Sequence, residues 1–373
     1  MTHPFQNIKK NFGFGCMRLP MKDGEVDHAV MCEMVDTFLR AGFNYFDTAH
    51  GYIGGKSELA LRECLTSRYP REDYILVNKL SGPYFKTQEE IRPFFDLQCR
   101  ACGVDYFDFY LMHAQNRDVF EQFKRCRAYE TAMELRDEGK IKHLGISFHD
   151  TADVLDRILT EYPQVEVVQI QFNYADYEDP SVQSRKCYEV CRKHQKPMII
   201  MEPVKGGSLV NLPDEAKAIY DTLGGGSYAS YAIRFAASFE GIFMVLSGMG
   251  DMNMMNDNIS YMQDFKPLDE AELSAVDKVC SIIHAQRLIP CTACSYCTEQ
   301  CPRQIPIPDV LACLNATKVY RDFDPKERYA VITKDGGKAS SCVGCGQCED
   351  ICPQHLPIRE LLTQAAAQLE ESC

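Results

Sequence analysis

Short apolar runs alternate with longer amphipathic stretches along most of this chain. Runs at about 44–47, 74–79, 107–112, 143–147, 167–171, 198–201 and 242–247 are bounded by polar or glycine positions and read as buried strands. Val26 to Arg40 sets Val30, Met34, Val35 and Phe38 on one face and meets a stop at Gly42, the mark of an amphipathic helix. Further helical patterns cover about 57–68, 88–102, 118–138, 151–160, 181–194 and 227–239. The beat amounts to about eight β-then-α units, which predicts an α/β chain closed into a (β/α)8 barrel in preference to an open doubly wound sheet. A Rossmann fold is disfavoured because Gly13 and Gly15 are not followed by the third glycine of a dinucleotide fingerprint.

Such a barrel takes ~250 residues, so a chain of 373 residues needs a second unit. Asp269 to Arg287 is one more helix, with Leu273, Val276, Val279, Ile282 and Ile283 on a stripe, and it carries the chain out of the barrel. The expected division is therefore residues 1–268 for the barrel and 269–373 for a linker helix and a cysteine-rich end. That end holds Cys291, Cys294, Cys297 and Cys301 before Pro302, then Cys342, Cys345, Cys348 and Cys352 before Pro353. Each run is C-x2-C-x2-C-x3-C-P, the bacterial ferredoxin pattern, in which three close thiolates hold one cubane cluster and the fourth reaches the other. The pattern assigns one [4Fe-4S] cluster to Cys291, Cys294, Cys297 and Cys352, and a second to Cys342, Cys345, Cys348 and Cys301. Zinc is the alternative, but zinc usually takes two C-x2-C knuckles and has no use for the third cysteine and the proline. Helical stretches from Pro308 to Tyr320 and from about Pro325 fill the insert, and Ile358 to Glu371 closes the chain, making a mostly helical ferredoxin-like domain. Cys313 and Cys373 fall outside both runs and are expected not to be ligands.

A net charge of −13 argues against nucleic acid as a partner, since phosphate binding needs a basic face. The first residues have no apolar signal core and no window is long enough to span a membrane, so a cytoplasmic protein is expected. Of 19 cysteines, those outside the two runs are scattered through a large domain and read as buried or incidental thiols of a reducing compartment. Oligomeric state leaves no mark on the sequence.

The chemistry begins at Asn44 to Tyr52, where Asp47 and Tyr52 follow an apolar run and Gly51, Gly54 and Gly55 open a loop. In a parallel barrel the carboxyl end of each strand faces the reaction centre, so both residues belong at the mouth. The run at 74–79 ends in Lys79, and the one at 107–112 is followed by His113. A phenol of ordinary pKa ~10 exchanges protons poorly at neutral pH. A nearby ammonium stabilises the phenolate, a carboxylate holds that ammonium charged, and an imidazole can orient a substrate oxygen. Singly, a Lys or His after an apolar run is usually a solvated strand end. Together and in this order, behind Gly13-Phe-Gly-Cys-Met-Arg-Leu-Pro20, Asp47, Tyr52, Lys79 and His113 resemble the catalytic set of the aldo/keto reductases over about residues 10–265.

The resemblance implies a TIM barrel in which reduced nicotinamide, NAD(P)H, gives a hydride to a carbonyl as the tyrosine protonates the oxygen. It places Ser147 and Gln169 at the carboxamide, and Gly248 with Asn258 at the adenosine half. Phe148 stands where many members have an amide, and Met201 where an aromatic stacks on the ring. Residues 249–255 contain no Lys or Arg, which removes the usual ground for preferring NADPH, since a phosphate dianion wants a cationic partner. Clusters move single electrons and nicotinamide a hydride, so a flavin between them is a further expectation without a motif of its own. Three readings follow: a nicotinamide-dependent carbonyl reductase or alcohol dehydrogenase linked to two clusters, a reductase fed by ferredoxin or flavin through the clusters, and a non-catalytic electron-transfer subunit. A redox partner protein belongs to the second and third. The substrate is an unspecified small carbonyl compound or alcohol, because specificity lies in the loops at 81–87, 114–119 and 174–182.

Overall fold

In this computed structural model residues 5–318, 324–334 and 336–370 are described. They group into two compact units, one of residues 1–204 with 225–273 and the other of 205–224 with 274–373.

The first unit is the predicted barrel. Eight parallel strands close it in chain order: β1 (Phe12–Gly15), β2 (Tyr45–Asp47), β3 (Ile75–Leu80), β4 (Phe107–Gln115), β5 (Ile141–Phe148), β6 (Val167–Gln171), β7 (Met198–Met201) and β8 (Ile242–Ser247), with β1 paired to both β2 and β8. Side chains alternate in and out along each strand. Tyr45, Val77, Phe109, Leu111, Val167 and Ile199 fill the interior. The same period of two carries the next inward positions to Asp47, Lys79, His113 and Gln169, so polarity rises toward the carboxyl ends of the strands.

Gly145 on β5 makes room for this filling. A Cβ there would stand 2.5 Å from Leu111 Cδ2 and 2.6 Å from Val167 Cγ1. Gly145→Ala is therefore expected to cost about 1–3 kcal/mol through overpacking, read as a lower urea midpoint of the barrel with an unchanged m-value.

Several helices differ from the pattern. The stretch at 118–138 is two helices, Arg117–Arg125 and Ala128–Asp137, because Arg127 takes a left-handed φ of 51° between two segments that are each amphipathic. The helix at 57–68 is an α-helix, Lys56–Leu61, that loosens into a π turn, Arg62–Thr66. A small hairpin, Met21–Lys22 with Glu25–Val26, and the helices Asp214–Asp221 and Met252–Met262 were not expected. Cys32 and Cys64 correct the reading of incidental thiols. Helix His28–Arg40 and the π turn bring their Cα atoms to 4.6 Å, and the two form a disulfide.

The second unit is mostly helical. Ile305, Ile307, Val310, Leu311, Leu314, Ile358 and Leu362 form its core, on helices Ile307–Ala316 and Ile358–Leu369. Cys313 is buried in that core. The helix expected to reach Tyr320 ends at Ala316, and residues 319–323, with Cys373 and the end of the last helix, lie outside the described residues. Tyr329 ties the unit together, accepting from the Ala339 amide at 2.7 Å and donating to Glu370 at 2.6 Å. Residues 205–224, which follow β7 in the chain, fold with this unit. A Cβ on Gly206 would meet the Thr292 carbonyl oxygen at 2.2 Å, so that crossing requires glycine.

Candidate active site

Strand pairing sets the site. Gly15 lies beside Asp47, Asp47 beside Val77, and Lys79 beside Leu111, which stacks the strand ends at one level. Lys79 Nζ reaches Asp47 Oδ1 at 2.6 Å and the Thr48 carbonyl at 2.8 Å. It also stands 4.9 Å from the centroid of the Tyr52 ring. Tyr52 meets His113 edge to face, with ring centroids 6.1 Å apart. The four residues expected from the sequence are thus one connected group.

The lysine is buried completely and Asp47 is 3 % exposed. Burial pushes the Asp47 carboxyl up and the Lys79 ammonium down, and each charge opposes the shift of the other. The short contact, the Thr48 carbonyl and an amide from Gln169 at 3.4 Å favour the ionised pair, since a buried pair survives when its remaining hydrogen bonds are made.

A buried polar network holds the strand beneath Lys79. Glu58 accepts from Asn78 at 2.8 Å and faces His50 Nδ1 at 2.7 Å, while Gln98 donates to Asn78 and to the Lys79 carbonyl, each at 3.0 Å. Tyr110 closes the network on Gln98. These contacts fix the backbone from which the ammonium is projected.

His113 sits at a local irregularity. The register of β4 against β5 shifts between Met112 and Gln115, and Ala114 takes a φ of 51°. Such a bulge re-aims the side chain beside it, and strain of this kind collects at functional sites. The Ala114 amide donates to Ser147 Oγ at 2.8 Å, and Ser81 Oγ lies 2.6 Å from His113 Nδ1. Burial, then the Lys79 charge and His149, hold the imidazole well below its ordinary pKa.

That shift has a consequence for stability. The unfolded chain protonates His113 near pH 6.5 and the folded chain only far lower, so below about pH 6.5 the unfolded state binds the extra proton. Stability present above that pH is lost on acidification, by at most about 1.4 kcal/mol per pH unit from this residue. His113→Gln should flatten that part of the profile, checked by urea unfolding of the barrel at pH 7.5 and 5.5.

The residues expected to hold a nicotinamide divide into two groups. Ser147 and Gln169 are paired across β5 and β6, both buried, with Gln169 on Asp47. Gly248 and Asn258 lie apart from them. Asn258 donates to Ser247 Oγ at 2.8 Å and accepts from the Tyr261 hydroxyl at 2.5 Å, and Gly248 is covered by the Arg18 side chain, 3.5 Å from where its Cβ would be. Arg18 also approaches Glu202 at 3.8 Å. Arg18 and Cys16, inside the stretch 13–20, and Ser81, at the start of the loop 81–87, were given no role of their own in the sequence. Ser81 carried a signal, being two residues beyond Lys79 on the same inward period. Cys16, whose amide donates to the Asp47 carbonyl at 2.8 Å and whose thiol burial pushes up, carried none.

The second unit builds two further sites. One cavity is lined by Cys291, Cys294, Cys297 and Cys352. Another is lined by Cys301, Cys342, Cys345 and Cys348. The two loops follow one plan. Ala293 and Ser295 in the first, and Gly344 and Gly346 in the second, take left-handed φ values of 53°, 65°, 69° and 84° between successive cysteines. Each cavity thus draws three thiols from one run and the fourth from the other. The thiols surround a volume, and among the described residues no three metal-binding side chains converge as they would on a single ion. Four sulfurs around a space fit a cluster.

The chain thus joins a closed parallel barrel, with a carboxylate, an amine, a phenol and an imidazole at its mouth, to a unit with two four-thiol hollows. The chain belongs to the aldo/keto reductase family, whose model matches residues 11–281, and a 4Fe-4S dicluster domain matches residues 290–357. It is 23 % identical over 207 residues to the NADH-specific methylglyoxal reductase of Escherichia coli strain K12, covering 51 % of this chain and 61 % of the relative. It is 33 % identical over 135 residues to an aldo-keto reductase of Mycolicibacterium smegmatis, covering 36 % of this chain and 44 % of the relative. The matches thus span about half the length of these curated relatives. An aldo-keto reductase from Klebsiella pneumoniae, solved with NADPH, shares the barrel with a TM-score of 0.56 at 18 % identity, over 73 % of this chain and 95 % of that one. Among the described residues no helix is long and apolar enough to cross a membrane.

Proposed function

We propose that the barrel reduces a carbonyl group of a small molecule, or oxidises the corresponding alcohol, with Tyr52 as the proton donor. When bound, a reduced nicotinamide supplies the hydride to the carbonyl carbon. Tyr52 gives its proton to the carbonyl oxygen and becomes a phenolate. Lys79 stabilises that charge, and Asp47 keeps Lys79 ionised and in place. His113, neutral by burial, donates a hydrogen bond that orients the oxygen and does not itself supply the proton. The observation that carries this reading is Lys79, bonded to Asp47 at 2.6 Å and set 4.9 Å from the Tyr52 ring.

The residues fit a nicotinamide. Ser147 accepts from Ala114 and so keeps its hydroxyl hydrogen for a carboxamide oxygen, and Gln169 offers an amide beside it. Residues 249–262 contain no Lys or Arg, and Asp251 caps the helix there by accepting from Met254 at 2.8 Å. That favours NADH over NADPH, as in the Escherichia coli relative's name. Eight cysteines, in the two sets that line the cavities, hold two [4Fe-4S] clusters that exchange single electrons with a redox partner protein.

A second reading, in which electrons from the clusters feed the barrel directly or through a flavin, is supported by Phe148 and Met201, which stand where the family has a nicotinamide-binding amide and a stacking aromatic. The test is a panel of small aldehydes, dicarbonyls including methylglyoxal, and ketones, offered anaerobically with NADH and with NADPH. Consumption of NADH with at least one carbonyl supports the first reading. Turnover only with a reduced ferredoxin or dithionite-reduced clusters overturns it in favour of the second.

A further inference from the structure

A neutral imidazole carries one N–H, and the partner of the other nitrogen decides which one carries it. For the proposed reduction the difference is decisive, since with Nδ1 engaged by a neighbouring side chain only an Nε2–H can donate to a carbonyl oxygen at the mouth. The residue facing Nδ1 is Ser81. It follows Leu80, the last residue of β3, on the inward period that also projects Lys79, just beyond the last pair of β3 and β4, Leu80 beside Met112. Its Oγ lies 2.6 Å from His113 Nδ1, and the residue is 5 % exposed.

Two arrangements satisfy that distance. If Nδ1–H donated to Ser81, the serine's own hydrogen would be left buried without an acceptor, because His113 is the one side-chain partner of this hydroxyl among the described residues. Folded proteins avoid an unpaired buried donor. If Ser81 donates to Nδ1, the hydroxyl hydrogen, the Nδ1 lone pair and the ring orientation are all accounted for. At the bulge the Ala114 amide donates to Ser147 Oγ and the Gln115 side-chain amide donates to the His113 carbonyl at 3.1 Å, fixing the backbone from which the ring hangs.

We propose that Ser81 is the positioning residue that locks His113 in its Nε2–H tautomer and aims that hydrogen at the carbonyl oxygen. The assignment rests on the reduction proposed above, but the tautomer itself is measured without turnover. Nitrogen-15 NMR of the ring-labelled full chain, with the His113 signals identified by their loss in His113→Gln, should give a pyridine-type Nδ1 and a pyrrole-type Nε2 at neutral pH. In Ser81→Ala the two should move toward an averaged pair, kcat should fall about 10-fold or more with a raised KM for the carbonyl, and nicotinamide affinity should not change. Ser81→Thr, which keeps the hydroxyl, should restore both. A pyrrole-type Nδ1 in the unaltered protein overturns the proposal, as does a Ser81→Ala variant with unchanged ring signals and unchanged kcat. If the tautomer is found and lost as expected but no carbonyl is ever reduced, the tautomer lock stands and the reduction falls.

Discussion

Tyr52→Phe is expected to lower kcat for carbonyl reduction by about 10²- to 10⁴-fold, the usual worth of a positioned acid. Nicotinamide binding should be nearly unchanged, because the phenol acts on the substrate oxygen. The ring is 9 % exposed and meets His113 through its edge, so phenylalanine fills the same space and the fold is kept. Lys79→Met should fall as far for a different reason. It removes the charge that stabilises the phenolate and leaves Asp47 buried without its partner, so activity and stability drop together. Comparison of the two separates chemistry from scaffold. A Tyr52→Phe protein with undiminished kcat would remove the phenol from the mechanism. Burial also lowers the Lys79 pKa from its ordinary value, so activity should decline on the alkaline side at a pH below about 10.5.

The second large effect concerns iron. Cys301→Ser should remove the cluster of Cys342, Cys345 and Cys348, not that of its own sequence run, because Cys301 lines the cavity those three form. Iron and sulfide should fall by half, and the low-temperature paramagnetic spectrum of the reduced protein should match that of Cys345→Ser. Cys352→Ser should match Cys294→Ser in the same way, since both line the other cavity. The second unit should unfold at lower denaturant in every case, since a site that forms only in the folded state contributes its binding energy to folding. A Cys301→Ser spectrum that matched Cys294→Ser would mean that each run closes on its own cluster and that the crossed arrangement is wrong.

Much of this was legible in the residues because parallel strands buried on both faces write themselves as apolar runs. β6, β7 and β8 have the bounds that their runs suggest. Asp47, Lys79 and His113 could be placed because strand ends in such a barrel share one level. What stayed hidden depends on geometry that no local pattern records. The turn at Arg127 interrupts two helices whose apolar faces read as one. The bulge at Ala114 is an alanine in a left-handed conformation, which sequence does not announce. The disulfide of Cys32 and Cys64 joins residues 32 apart on separate elements. Residues 205–224 group with the C-terminal unit, where Gly206 lies against Thr292, again distant in the chain. The cysteine runs were legible for the opposite reason. Their spacing is local, and the wrapping loops need only short-range backbone turns at 293, 295, 344 and 346.

The central claim is that a hydride passes from nicotinamide to a carbonyl carbon at the barrel while Tyr52 supplies the proton. The most direct measurement is an anaerobic single turnover with NADH deuterated at its transferring C4 position and a carbonyl compound that the panel shows to be consumed. The account predicts one deuterium on the new carbinol carbon for each NADH oxidised, with the visible band of the clusters unchanged. Unlabelled product formed as that band bleaches would contradict it, and would place the reduction on electrons delivered through the clusters.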